Sequence, residues 1–194
     1  MHTLLKQTGA GLRLLLAMTV LLGLLYPLAV WAAGRIPGLQ DRAEGSIVSE
    51  HGRAAGSALI GIDPVPADPA RDPWFHTRPS AAPEGASGAS NQGPYNEDLV
   101  RAIAERRTLI AKREGVPADR VPPDAVTASG SGLDPSISVA YAELQIPRVA
   151  RSTGLSKEKV RELVEDGSTG GIGVPGANVV LLNLAVHSAA PGAH

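Results

Sequence analysis

The chain has 194 residues, of which 43% are hydrophobic and 19% charged, so it is long enough and apolar enough to bury a core. Its 18 Lys and Arg residues nearly balance its 19 Asp and Glu residues, which argues against a general binder of nucleic acids or anionic membranes. The absence of cysteine excludes disulfides, thiol catalysis and cysteine-ligated metal sites. The 22 Gly and 16 Pro residues predict long ordered loops around a modest aliphatic core.

The N-terminal region contains one uncharged segment long enough to cross a membrane. Residues 14–33 carry no charge, and at ~1.5 Å rise per residue such a helix spans about 30 Å, the thickness of the hydrocarbon core. Tyr26 and Trp31 lie near its end, where such rings favour the interface. Pro27 predicts a kink. We therefore expect a short N-terminus (residues 1–13), a transmembrane helix and a C-terminal domain (residues 34–194).

A cleaved signal peptide is the alternative for this segment, with Lys6 and Arg13 in its basic region. The apolar segment exceeds the ~7–15 residues typical of a signal peptide, and Val30-Trp31-Ala32 fits a cleavage site poorly. Both features favour a retained anchor. The numbers of Lys and Arg residues on the two sides of the segment are nearly equal. The pattern therefore only slightly favours a cytoplasmic N-terminus and an extracytoplasmic C-terminal domain.

The C-terminal domain begins with patterns of strand and loop. Two short apolar segments, 46–49 and 57–62, flank a His51-Gly52-Arg53 turn and predict a strand–turn–strand unit. Residues 63–95 are rich in Pro and Gly and predict a long loop. A loop of this length inside a compact domain is either functional or mobile.

Helices and a further strand follow. Residues 96–115 predict a helix with Asn as its N-cap and Gly after its end, and residues 156–166 predict a second one with a Ser cap. Asp134-Pro135 predicts the start of another helix, which should stop or kink before Pro147. Residues 178–186 have the β-branched content of a buried strand. The expected fold class is α+β: one transmembrane helix, then a small mixed α/β domain with about four strands and three or four helices.

The common catalytic signatures are absent from the sequence. None of the four lysines follows a Gly, which excludes a phosphate-binding P-loop. Ser129 and Ser131 lack the Gly two residues earlier that a G-x-S-x-G motif requires. The five histidines are scattered and predicted to lie at the surface or in loops. We therefore predict no catalytic and no metal-ligating residue, and a lone extracytoplasmic enzyme is only a third interpretation.

Residues 148–166 fit the spacing of a bacterial helix-turn-helix, with Ala150, Gly154 and Val160 at its small, turn and core positions. A membrane-anchored transcription regulator is therefore an alternative function. The segment carries five basic and four acidic residues, so it would neutralise few phosphates, on which DNA affinity depends. Two short helices that meet at a glycine turn are the preferred interpretation.

Seven short segments occur in a fixed order along the chain. They are Tyr26-Pro27-Leu28 within the apolar segment and then residues 56–61, 74–81, 86–91, 126–134, 145–150 and 178–185. Taken together, they resemble the C subunit of the Kdp-type potassium-transporting P-type ATPase, the KdpC family, over nearly the whole chain. The chain departs from the family at Ile62-Asp63-Pro64, where a Gln-x-Phe sequence is usual.

The resemblance implies a non-catalytic accessory subunit of an ATP-driven potassium uptake complex in the cell membrane. Its implied partners are a channel-like potassium-selective subunit, a P-type ATPase subunit and the lipid bilayer, with no nucleic acid. The implied roles are to stabilise assembly and to act as a catalytic chaperone that raises the ATP affinity of the ATPase subunit. The chain has no D-K-T-G-T phosphorylation motif. No cofactor of its own is implied, because the partner subunits handle ATP and potassium.

Nucleotide contact conflicts with the expected topology. A domain outside the membrane cannot touch cytoplasmic ATP, so its effect would be a coupling of about 1–3 kcal/mol through partner subunits. If nucleotide is bound directly, Gln145 and Arg148 are the candidates, because an amide and a guanidinium can hydrogen-bond a base or a phosphate. Alternatively, Gln145 caps a helix end before Pro147 and Arg148 pairs with a nearby acid.

Candidate partner contacts fall in the apolar segment and in the loops. Gly23 and Ala29 are small enough for close helix packing against the channel-like subunit. We expect the C-terminal domain to cover that subunit's outer mouth. Its candidate loop contacts are Arg78, Ser90, Asn91, Ser129, Ser131 and Asp134. The last three either bind an ion or a partner or form a strand-to-helix turn capped by Asp134.

Overall fold

The computed structural model describes residues 2–83, 85–169 and 175–191. The chain divides between Ser46 and Ile47 into two compact units. The N-terminal unit is mainly helical, and the C-terminal unit combines helices with short strands. This architecture confirms the α+β prediction of an N-terminal apolar helix followed by a small mixed domain.

In the N-terminal unit, α1 (His2–Val20) leads through one π-helical turn (Leu21–Leu25) into α2 (Tyr26–Ala33), and α3 (Gln40–Ala43) follows. The π turn ends two residues before Pro27, which has no N–H for a helical hydrogen bond, so the irregularity lies where the regular pattern loses a donor. Residues 5–33 form a helix long and apolar enough to cross a membrane, and its most apolar part is not buried within the chain.

The strands of the C-terminal unit form two small antiparallel sheets within the described residues, rather than one sheet of about four strands. β1 (Ile47–Glu50) and β2 (Arg53–Ser57) form a hairpin, so the predicted strand–turn–strand unit is present but its second strand lies earlier than residues 57–62. The other sheet has the order β3–β5–β4, with β3 at Ser136–Ser138, β4 at Ser168–Thr169 and β5 at Gly176–Asn178.

The described part of the C-terminal unit contains five helices, of which all but the first contact this second sheet. They are α4 (Glu97–Glu114), α5 (Pro123–Val126), α6 (Val139–Thr153), α7 (Lys157–Asp166) and α8 (Val179–Ala189), and single 3₁₀ turns occur at Pro69–Arg71 and Ala118–Arg120. The aliphatic core lies between them and includes Phe75, Ile137, Tyr141, Ile146, Val149, Val160, Val164, Val179 and Leu182. Most core residues come from α6, α7 and α8, so these helices hold the domain together.

Two predicted helices have the predicted caps. The Asn96 side chain accepts hydrogen bonds from the N–H groups of Asp98 and Leu99 at 2.9 and 3.1 Å. Gly115 follows α4 with φ of 69°, the left-handed conformation that favours glycine. The Ser156 hydroxyl accepts from the Lys159 N–H at 3.1 Å and starts α7. Local capping chemistry was therefore a reliable signal here.

The helix predicted from Asp134-Pro135 begins later and does not stop at Pro147. Residues 136–138 pair with β5 instead, and α6 starts at Val139, where the Ser138 hydroxyl accepts from the Tyr141 N–H at 3.0 Å. The helix continues through Pro147 to Thr153. A proline inside a helix costs about 3 kcal/mol, but the buried face of α6 contributes much of the core, and its burial outweighs that cost.

The strand predicted at residues 178–186 is a helix. The Asn178 side chain accepts from the N–H groups of Val180 and Leu181 at 3.1 and 3.2 Å and caps α8. The buried side chains are Val179, Leu182 and Val186, spaced by three and four residues as on one face of a helix. The β-branched composition was misleading because the N-cap and the helical spacing decide the structure.

Gly61, in the segment after β2, packs directly against the backbone of residues 133–135. Its N–H donates to the Leu133 carbonyl at 2.8 Å, and a Cβ at this position would lie 2.6 Å from Asp134 O and from Pro135 Cα. We predict that Gly61→Ala lowers the free energy of unfolding by about 2 kcal/mol, because backbone atoms cannot yield like a flexible side chain. Chemical denaturation of the purified full chain in detergent measures this loss.

Gly130→Ala is the matched control, because a Cβ at Gly130 would meet nothing within 4 Å. This variant should unfold within about 0.5 kcal/mol of the original chain. Equal stabilities of the two variants would contradict the close approach at Gly61.

Candidate functional site

An extended segment, residues 72–78, has its backbone bonded by side chains rather than by a neighbouring strand. The Phe75 N–H donates to Asn183 Oδ1 at 2.7 Å, and Asn183 Nδ2 donates back to the Phe75 carbonyl at 2.9 Å. The His76 N–H donates to Gln145 Oε1 at 2.8 Å, and Gln145 Nε2 donates to the His76 carbonyl at 3.3 Å. Two amide side chains, from α6 and α8, therefore satisfy backbone groups that would be costly to bury unpaired.

Arg148 of α6 fixes the beginning of the same segment. Its Nη1 donates to the carbonyl oxygens of Asp72 and Trp74, both at 2.9 Å, and lies 2.9 Å from the Asp72 carboxylate. Its Nε lies 3.0 Å from the carboxylate of Glu114, the last residue of α4. Its Nη2 donates to Gln145 Oε1 at 3.0 Å. One guanidinium thus joins two helices and the extended segment.

The charges of this cluster are buried. The side chains of Arg148, Asp72 and Glu114 are 5%, 2% and 0% exposed. Arg113 donates to Glu114 at 2.7 Å and to the Tyr141 hydroxyl at 2.9 Å. Such a group of buried ions is tolerable only when every member is paired, because an isolated buried charge is strongly destabilising.

His76 completes this arrangement, which we call the buried ion cluster (Asp72, His76, Glu114 and Arg148). Its Nδ1 lies 3.1 Å from the Asp63 carboxylate and its Nε2 lies 2.7 Å from the Asp72 carboxylate. Both ring nitrogens can donate only when the imidazole is protonated. His76 lies in a loop, as predicted, but its ring is buried rather than at the surface.

The pKa values of His76 and Asp72 shift in opposite directions. Burial alone lowers the pKa of His76, but hydrogen bonds with Asp63 and Asp72 outweigh it and raise that pKa above its ordinary value of 6.5. Burial alone raises the pKa of Asp72, but the hydrogen bonds from His76 and the Trp74 N–H, together with the Arg148 charge, lower it below 3.8. The structure therefore favours the charged forms of both groups.

Gln145 and Arg148, the two residues predicted to contact nucleotide if any do, lie together in this cluster. Both side chains are buried and bonded to the protein, so their donors and acceptors already have partners within it. The alternative interpretation of Arg148, pairing with a nearby acid, is confirmed by Glu114 and Asp72. The expectation that Gln145 caps a helix end is wrong, because α6 continues past it.

A second group of predicted residues comes together where two loops meet. Arg78 Nη1 lies 3.3 Å from Asp134, and Nη2 donates to the carbonyls of Thr127 and Ala128 at 3.4 Å. Asp134 also accepts from the Ser136 N–H at 2.9 Å, so it closes a turn before β3 rather than capping a helix. These contacts position the loop at residues 127–134 beside the extended segment.

Ser129 and Ser131 hold this loop in different ways. The Ser129 N–H donates to the Pro79 carbonyl at 3.1 Å, and among the described residues its buried hydroxyl has no hydrogen-bond partner. The Ser131 carbonyl accepts from the Gly88 N–H at 2.8 Å and from the Ser87 hydroxyl at 2.9 Å. The glycine- and serine-rich loop is therefore tied to the segment around residue 88.

The remaining candidates lie at exposed positions. Ser90 and Asn91 are exposed, and Asn91 has φ of 53° in the left-handed region. Gly23 and Ala29 lie on the exposed surface of the apolar helix, in the π turn and in α2. A Cβ on Gly23 would meet only Thr19 of its own helix, at 4.0 Å. Their roles in partner contact stay predictions.

Comparison with known proteins identifies the family. The family model described as "K+-transporting ATPase, c chain" matches residues 8–188. A protein of Kineococcus radiotolerans named "Potassium-transporting ATPase KdpC subunit" is 47% identical over 97% of this chain and 96% of its own length. Proteins with the same name from Mycobacterium tuberculosis H37Rv and Streptomyces coelicolor are 44% and 39% identical, over 93% and 95% of this chain and 97% and 93% of their own lengths.

The chain belongs to the KdpC family. This confirms the resemblance and the interpretation of the chain as an accessory subunit of a potassium-transporting ATPase. It does not support the transcription regulator, although α6 and α7 do meet at Gly154 as in a helix-turn-helix. Arg148, the first basic residue of that motif, is buried and cannot reach a phosphate.

Sequence reasoning missed several members of the KdpC site. Asp72 and His76 fell in a stretch interpreted as loop, and Asn183 in a stretch interpreted as strand. Glu114, the last residue of α4, was not singled out. One signal was available. His76 lies within the segment 74–81 that carries the resemblance, and a titratable residue in such a segment indicates a structural or functional role.

Removal of the Arg148 charge should strongly destabilise the C-terminal domain. We predict that Arg148→Met costs about 3–5 kcal/mol, because it leaves the carboxylates of Asp72 and Glu114 buried without their partner. Arg151→Met, on the same helix but exposed, should cost less than about 0.5 kcal/mol. Urea denaturation followed by near-ultraviolet circular dichroism compares the two, and a small loss in Arg148→Met would contradict the role of the cluster.

The pKa shifts predict how stability depends on pH. The pKa of His76 is raised in the folded domain. Protonation of His76 therefore stabilises the folded domain fully below about pH 6.5, and this stabilisation is lost as the pH rises through the folded-state pKa. The pKa of Asp72 is lowered in the folded domain. The ionised carboxylate therefore stabilises the folded domain above about pH 3.8, and this stabilisation is lost as the pH falls through the folded-state pKa. Thermal unfolding of the full chain between about pH 3 and pH 9 should show both losses.

His76→Gln should be less stable and should lose most of the decline above pH 6.5, because the titrating ring is gone. The exposed histidine His51 provides the control, and His51→Gln should keep the original pH dependence. If His76→Gln loses stability above pH 6.5 as steeply as the original chain, another group causes that loss.

Proposed function

We propose that this KdpC chain is a non-catalytic structural subunit that stabilises the assembled potassium-transporting ATPase. The observation that carries the proposal is the buried ion cluster. Its charged side chains are paired with each other and with backbone groups, so they fix the shape of the domain and are not free to act on a substrate. A domain with a rigid interior and irregular loops suits shape-specific contact with partners.

The apolar helix supports a place in the cell membrane. Residues 5–33 expose an apolar surface that is stable only against lipid or another apolar helix. We propose that this helix docks against a channel-like, potassium-selective subunit, with Gly23 and Ala29 at the close contact. We further propose that the N-terminus is cytoplasmic and that the C-terminal domain lies outside the membrane, over the outer mouth of that subunit.

Any effect on ATP affinity is proposed to be indirect. The two side chains that suit nucleotide contact, Gln145 and Arg148, are enclosed by their own protein partners. An effect on the P-type ATPase subunit then takes the form of a coupling free energy of about 1–3 kcal/mol transmitted through the subunits. In this mechanism the chain acts as a catalytic chaperone without binding ATP or potassium itself.

Deletion of residues 35–194, with the apolar helix retained, tests the proposal. We expect the other subunits to co-purify less well from membranes and the apparent potassium affinity of the ATPase to fall, because the domain's contacts are lost. Co-purification and potassium-dependent ATP hydrolysis measure the two effects. Assembly and transport equal to those of the complete chain would refute a stabilising domain.

Two controls separate the parts of this proposal. A chain with the complete domain but with a scrambled apolar helix of equal length shows whether the helix contributes contacts of its own. Protease added to intact spheroplasts should digest the domain at the outer surface. A domain digested only after lysis would overturn the proposed orientation.

A further inference from the structure

The C-terminal unit carries an apolar groove that the buried ion cluster does not occupy. Its volume is about 560 Å³, within the range of sites that bind small ligands or a few side chains. The hairpin, the segment after it and α8 form its walls. Its main apolar lining residues are Ile47, Ile60, Ile62, Trp74, Val180 and Leu184.

The few polar groups that line the groove already have partners. His187 Nδ1 lies 2.6 Å from the Glu50 carboxylate, and its ring stacks on Trp74 with ring centroids 6.3 Å apart. Asn183 uses both ends of its amide on the Phe75 backbone. No Lys or Arg is among the described residues that line the groove. The groove therefore offers little to a nucleotide, a sugar or an ion and suits an uncharged apolar ligand.

One wall of the groove is rigid although it belongs to no helix or strand. Asn178 Nδ2 donates to the Ala58 carbonyl at 2.7 Å, and Gly61 packs against the backbone of Asp134 and Pro135. This wall nevertheless exposes large aliphatic side chains: Ile60 is 45% and Ile62 52% exposed. Clustered exposed apolar residues on a fixed backbone are typical of a binding surface.

The charge and the position of the groove narrow the choice of occupant. A bilayer surface attracts Lys and Arg residues and meets a protruding apolar face. This site is concave, and among the residues that the structure describes, its ionisable lining groups are Glu50 and His187. β1, which forms one wall, begins fourteen residues after α2 ends. The domain that carries the groove is therefore joined by a short segment to the helix that we propose to dock in the membrane complex, which favours another subunit of that complex as the occupant.

We propose that the groove binds a short, uncharged, apolar extramembrane segment of another membrane subunit of the ATPase. This inference rests on the proposed function, because it names the surface through which the domain would stabilise the complex. Aliphatic side chains of the partner segment would fill the space between Ile60, Trp74 and Val180. The stabilisation would come from apolar burial and would depend little on salt.

Crosslinking in the intact complex tests the occupant. A photoreactive phenylalanine analogue placed at Ile60 should crosslink to another membrane subunit, and mass spectrometry should locate the crosslink in an uncharged apolar segment. The same analogue at Val100, an exposed position on α4 outside the groove, is the control and should crosslink much less. Crosslinks from Ile60 to lipid or to a second copy of this chain, or no crosslinks, would overturn the inference.

Substitution measures the strength of the contact. Ile60→Asp should reduce co-purification of the other subunits about tenfold, because an unpaired carboxylate would enter an apolar contact. Val100→Asp, at a site 56% exposed against 45% for Ile60, should leave co-purification unchanged. Thermal unfolding of both purified chains verifies that Ile60→Asp still folds, and normal co-purification of a folded Ile60→Asp chain would refute the docking site.

The two proposals fail in different ways. If deletion of residues 35–194 leaves assembly intact, the stabilising function itself is wrong. If that deletion impairs assembly while Ile60→Asp has no effect, the domain stabilises the complex through another surface and only the groove is refuted.

Discussion

The structure of the C-terminal domain depends on one buried guanidinium. Arg148 bonds Glu114 at the end of α4, Gln145 on its own helix, and the Asp72 and Trp74 carbonyls of the extended segment. Apart from Gln145, these groups come from positions far from Arg148 in the chain. Arginine suits this role better than lysine because its planar fork can bond several acceptors at fixed angles while it keeps its charge. Its loss would leave buried acceptors and carboxylates unpaired, which is why a single side chain has such influence.

The extended segment explains why this domain can keep a long proline-rich loop. A chain segment inside a protein normally satisfies its backbone groups through a sheet or a helix, but here the side chains of Gln145 and Asn183 replace the neighbouring strand. An amide side chain carries one acceptor and two donors, so each can bond both the N–H and the carbonyl of one residue. Two such amides fix Phe75 and His76 in place, and the loop gains an anchor without additional secondary structure.

Features that depend on residues close together in the sequence could be predicted, whereas contacts between distant parts of the chain could not. The apolar N-terminal helix and the caps at Asn96 and Ser156 depend on neighbouring residues and were predicted correctly. The helix at residues 179–189 was missed although its Asn178 cap is a local signal, because the β-branched composition favoured a strand. The passage of α6 through Pro147 was missed because tertiary packing outweighs the local cost of the proline. The partners of Arg148 come from separate parts of the chain, and no local pattern reveals such a pairing. The resemblance identified the family to which the chain belongs, but it did not reveal the role of these charges.

Trp74 connects the polar interior with the apolar groove. Its carbonyl accepts from Arg148, while its indole lines the groove and stacks on His187. The orientation of the indole is therefore set by a backbone that the buried ion cluster holds rigid. A groove that is already formed before binding loses less conformational entropy on association than a flexible loop would. The charges in the interior thus contribute to partner binding without touching the partner, because they determine the shape of the surface that does.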